Sequence, residues 1–91
     1  LAKIDIRRKH TLSREQARAR AEQVASHIQD SFDLDYHWKG ESLYFERTGV
    51  DGVLEVSDAE IRVKVRLGWV MRPMKGHVER EIRRYMDELL A

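Results

Sequence analysis

Ile61, Val63, Val65 and Leu67 alternate with Arg62, Lys64 and Arg66, the period-two pattern of a strand with one buried face. The alternation breaks at Gly68 into three consecutive apolar positions, Trp69, Val70 and Met71. Near the start, Ile4 and Ile6 alternate with Lys3, Asp5 and Arg7, which predicts a first strand over 3–9. Ser13 stands three residues before Gln16, the spacing of a capping box, with Leu12 in the staple position. Ala17, Ala21, Val24, Ile28 and Phe32 then fall on one helical face. Ala17, Ala21 and Ala25 are small, so this helix can approach its neighbour closely, with Arg14, Arg18 and Glu22 on the wet side.

Leu34, Tyr36 and Trp38 alternate with Asp33, Asp35 and His37, predicting a second strand. Leu43 and Phe45 mark the inner face of a third strand ending near Arg47, and Val53–Val56 a short fourth, with turns at KGES and TGVDG. After Pro73, the residues Val78, Ile82, Tyr85 and Leu89 recur at helical spacing, and Met86 and Leu90 widen the stripe. The order is β-α-β-β-β-β-α in one domain over 1–91. An α+β fold follows: a mainly antiparallel five-stranded sheet with both helices on one face. Arg62, Lys64 and Arg66 then belong to the outer face. The last helix is expected to set Val78, Ile82, Tyr85 and Leu89 against Ile61, Val63 and Val65, leaving Arg80, Arg83, Arg84, Asp87 and Glu88 wet.

Composition narrows the function. Lys and Arg number 17 against 16 for Asp and Glu, a net charge of +1, without the basic excess of a dedicated nucleic-acid module. The chain has no cysteine, which excludes disulfides, a thiol nucleophile and cysteine-ligated metal. Its apolar runs are far shorter than the roughly 18 residues that span a bilayer, and the N-terminal segment lacks the apolar region of a secretion signal. A soluble cytoplasmic protein is expected.

Four sets of residues are candidates for chemistry. Asp33, Asp35 and His37 form D-x-D-x-H; on a strand they share one face, where oxygen and imidazole ligands hold a divalent metal. The competing reading is the polar outer face of an antiparallel strand, and it is preferred. Arg14, Arg18 and the RRKH run join Arg62, Lys64 and Arg66 as a basic surface for phosphates; interspersed Glu15, Glu22, Glu46 and Glu60 favour a solvated face instead. Catalysis has little support: Ser13 is spent as a cap, and His10, His27, His37 and His77 are scattered. The fourth set is the junction after Gly68. In one reading Trp69 or Val70 plugs the end of the core. In the other, part of Trp69, Val70, Met71, Pro73 and Met74 stays exposed as the lip of an apolar groove or a contact patch, with adaptable Met side chains.

The segments KIDIRRKH, YHWKGESLYFERTGVDGVLEV and VRLGWVMRPMKGHVEREIRRYMDE are similar to the polyhydroxyalkanoic acid system proteins. These are small bacterial proteins whose genes accompany polyhydroxyalkanoate storage genes. The resemblance covers nearly the whole chain and brings no catalytic residues and no cofactor. It implies a noncatalytic accessory protein of storage-polyester metabolism, whose partner is an apolar small molecule, the granule surface or a granule protein. The element order also resembles a shortened helix-grip fold of the START and Bet v 1 kind, whose members often hold apolar ligands between sheet and C-terminal helix. Trp69, Val70, Met71, Met74 and Tyr85 are the expected contacts. A small metal-dependent enzyme using Asp33, Asp35 and His37, or a nucleic-acid module using the basic face, is the alternative.

Overall fold

Ser13 caps the first helix as its spacing predicts. In the computed structural model, which describes residues 2–90, the Gln16 amide donates to Ser13 Oγ and the Ser13 amide to Gln16 Oε1, each at 3.1 Å. Helix α1 (Arg14–Phe32) buries Ala17, Ala21, Val24, Ala25 and Ile28. It ends at Asp33, whose left-handed backbone has φ 53°. Aspartate visits that region at modest cost because its short side chain bonds locally. Asp33 therefore belongs to the helix cap. The candidate D-x-D-x-H triplet is thereby split, against the expectation of one strand face: β2 (Asp35–Lys39) carries Asp35 and His37 on its outer face, without Asp33.

The other strands are β1 (Ala2–Lys9), β3 (Ser42–Arg47), β4 (Val50–Val56) and β5 (Glu60–Leu67), and a 3-10 helix (Trp69–Met74) joins β5 to α2 (Lys75–Leu90). Every pairing is antiparallel, in the order β1-β5-β4-β3-β2. The predicted meander is present, and α1 carries the chain from one sheet edge to the other. β4 starts at Val50 rather than Val53. Gly49, at φ 84°, reverses the chain so that Arg47 pairs with Val50 across a loop of Thr48 and Gly49 alone. Gly52 thus sits inside a strand, opposite Phe45 on one side and Val65 on the other.

One face of the sheet is covered. Ile4, Ile6, Leu43, Phe45, Leu54, Ile61, Val63 and Leu67 are buried there in one hydrophobic cluster with both helices. The alanine face lets α1 settle over β4 and β2, while α2 lies over β1 and against α1. Val78, Ile82, Tyr85 and Met86 are buried and Leu89 is half-buried. The predicted stripe is therefore turned inward, but part of it meets α1. At the far end of β1, Arg8 Nε and Nη2 donate to Asp87 Oδ1 at 2.9 and 2.8 Å, tying the edge strand to α2. No described helix is long and apolar enough to cross a membrane.

Candidate apolar binding site

Between the sheet and the facing halves of the two helices lies a cavity of about 240 Å³. Phe45, Gly52 and Val65 line it from the sheet, Ile28 from α1 and Ile82 from α2. The space follows from two local choices. Gly52 presents no side chain to the covered face, and a Cβ built there meets the Lys64 carbonyl oxygen at 2.9 Å and Val65 Cγ2 at 3.2 Å. The chain also leaves β5 through the 3-10 helix, which sets Met71 and Met74 at one lip.

The exposed residues among the lining mark the mouth: Ser31, Asp33, Arg47 and Met74. Arg47 Nη1 donates to the Phe32 carbonyl at 2.8 Å, capping the end of α1, where free carbonyls attract a cation. Among the described lining residues Arg47 is the one cation. The arrangement can hold an apolar group against aliphatic walls with a guanidinium at the opening.

The structure divides the junction residues. Trp69 and Val70 are 76% and 89% exposed, so neither plugs the core as one reading of the sequence expects. The interior at this end is already closed by Leu67, which is fully buried, and the 3-10 geometry turns the next two side chains outward. The Arg72 guanidinium lies 5.3 Å from the Trp69 ring. Met71 is half-buried, and Met74 is 40% exposed. Tyr85 does not line the cavity. It is buried against α1, edge-on to the His27 ring at 5.1 Å, with its hydroxyl hydrogen-bonded to Ser31 Oγ. Periodicity places Tyr85 inside but cannot tell a helix neighbour from a sheet neighbour.

The other candidates are dispersed or neutralised. Exposed His37 stacks on Tyr44 at 5.8 Å, and among the described residues no three His, Asp or Glu side chains gather as a metal site. On the outer face Arg62 is paired with Asp5 at 2.5 Å, Lys64 with Glu55 at 3.3 Å and Arg66 with Asp51 at 3.0 Å. The Arg62 hydrogen bond holds the Asp5 carboxyl below its usual range, against a smaller opposing effect of burial. Arg14 bonds Asp58 at 2.9 Å. Arg18, expected on the wet side, lies 3.9 Å over the Trp38 ring, whose indole donates to Glu22 at 3.3 Å. Cross-strand pairing thus converts the basic face into a mixed-charge ladder.

Sequence pattern did not single out Gly52, Arg47 or Ser31. For Gly52 a signal existed: Val50, Leu54 and Val56 share its parity, so a glycine among them is a missing inward side chain.

Fold and cavity together define a two-layer α+β protein with an apolar space between the layers. The family model described as "Putative polyhydroxyalkanoic acid system protein" matches residues 4–90, and the chain belongs to that family. No curated protein was found to be similar to it.

Proposed function

We propose that this is a noncatalytic accessory protein of polyhydroxyalkanoate metabolism that acts in the cytoplasm at the storage-granule surface. The 3-10 helix is its contact element: Trp69 and Val70 touch the polyester, and the cavity behind Met71 and Met74 holds an apolar group. The observation that carries this reading is the continuity of the two features. Trp69 and Val70, 76% and 89% exposed, lie on the same short helix whose methionines line the cavity. Burying a large apolar side chain gains about 1.5–3 kcal/mol, so two adjacent ones left in water favour any surface that removes them from it. The cavity adds support. Its lining is mainly aliphatic and aromatic, and an apolar guest entering at the mouth would remove that surface from water. A binding role, rather than a catalytic one, suits the lining: among the described residues no histidine lines the space, and the charged groups that do, Asp33 and Arg47, stand at the mouth.

Co-sedimentation with isolated polyester granules tests the proposal. The wild-type protein should pellet with granules stripped of their proteins, and the double variant Trp69→Ser, Val70→Ser should stay in solution. Equal pelleting of both would remove the 3-10 helix as the contact. Pelleting only with unstripped granules would make a granule protein the partner instead of the polymer. In a storage-competent host, deletion of the gene should change granule number or size.

A further inference from the structure

We infer that the cavity is selective for an apolar chain ending in a carboxylate, with Arg47 as the residue that reads the acid group; this rests on the cavity being a ligand site, as proposed above. Three observations lead to the chemistry. The sheet and helix residues Phe45, Gly52, Val65, Ile28 and Ile82 offer no polar side chain, so the buried part of a guest must be hydrocarbon. A dry cavity of about 150 Å³ accepts benzene. By that scale, 240 Å³ takes roughly eight to ten carbons. At the mouth, Arg47 spends Nη1 on the Phe32 carbonyl. That bond orients the guanidinium, and among the described residues Arg47 forms no ion pair. A fixed guanidinium with unused N–H groups beside an apolar space matches a carboxylate, which accepts charge-assisted hydrogen bonds from it.

Ser31 and Asp33 share the rim. Ser31 is held by the Tyr85 hydroxyl. Asp33 is exposed, and its charge opposes an incoming acid in a solvent-screened position. The selectivity therefore comes from Arg47 against Asp33, and the two residues have opposite expected effects.

Calorimetric titration of the purified full chain, without granules, decides the matter. Decanoate should bind, and methyl decanoate and decanol, which keep the chain but lose the charge, should bind about tenfold more weakly. Arg47→Gln should weaken decanoate by a similar factor while leaving methyl decanoate unchanged, and Asp33→Asn should tighten decanoate. Val78→Phe, which fills the space from α2, should abolish all three. Comparable binding of the acid and its ester by the unmutated protein would overturn the inference, whatever the variants do, as would the absence of decanoate binding. Failure here with granule co-sedimentation intact leaves the surface contact standing. Loss of granule binding with decanoate selectivity intact removes the contact and spares the cavity.

Discussion

Gly52 shows how one missing side chain shapes the candidate site. Its neighbours on both sides are paired strands, so a Cβ has nowhere to go: the Lys64 carbonyl oxygen, 2.9 Å away, is backbone and cannot rotate aside. Alanine ordinarily favours a strand interior over glycine by roughly 0.5–1 kcal/mol. Here the overlap outweighs that gain, and Gly52→Ala should destabilise the fold by about 1–3 kcal/mol. Urea unfolding would show it as a lower midpoint at unchanged slope; a midpoint equal to or above wild type would mean that β4 and β5 are looser than described. The Tyr85 hydroxyl is a milder case. Its partner Ser31 is exposed and recovers a water molecule when the bond is lost, so Tyr85→Phe should cost about 1 kcal/mol. A double-mutant cycle with Ser31→Ala would return a coupling near that value if the bond joins the helices as seen, and near zero otherwise.

At the scale of elements, α2 and the β1–β5 ladder behave differently. Ile82 is buried between helix and sheet, yet it borders the cavity. A side chain facing a void lacks packing partners on that side, so Ile82→Ala should fall in the lower part of the usual range of about 2–5 kcal/mol. A thermal melt like that of wild type would mean that α2 does not pack on the sheet. In the ladder, Arg7 stands directly opposite Arg62, an unfavourable cross-strand pair. It is relieved as Arg62 reaches diagonally to Asp5 and Arg7 leans toward Glu60, 4.0 Å away. The Arg62 bond lowers the Asp5 pKa in the folded protein. Its ionised form therefore adds stability above about pH 4, lost as pH falls through the lowered value. Asp5→Asn should flatten the acid side of a plot of melting temperature against pH. An unchanged acid side would show that this pair contributes nothing measurable, as many exposed pairs do.

For the whole molecule, the balance of charge matters more than its amount. Each of the three basic side chains at the centre of the outer face has a carboxylate partner, so the face has little net field to attract phosphates. Gel-shift assays with DNA or RNA at low salt should show no retarded band. If one appears, it should weaken steeply as salt rises and vanish on replacing Arg62, Lys64 and Arg66. The apolar features lie on the other side of the sheet, in the helical layer. The protein thus presents a neutralised polar sheet to water and an apolar opening, with Trp69 beside it, at one end of the covered face.

Periodicity alone determined most of the architecture. Alternation at Ile4–Ile6 and Ile61–Leu67 and helical spacing at Ala17–Ile28 and Val78–Ile82 set the elements and their inward faces, because both signals depend only on neighbours along the chain. The cap at Ser13 was legible for the same reason. The candidate site was half legible. The break after Gly68 marked Met71 and Met74, but the exposure of Trp69 and Val70 depended on whether other residues had already closed the core, and Leu67 had. Arg47, Ser31 and Gly52 come to the cavity from β3, α1 and β4. Only the tertiary structure brings them together, because cross-strand register and the seating of two helices are set by contacts between residues distant in sequence. The same long-range pairing turned three basic residues on one strand into half of a charge ladder, whose acidic half lies on β1 and β4.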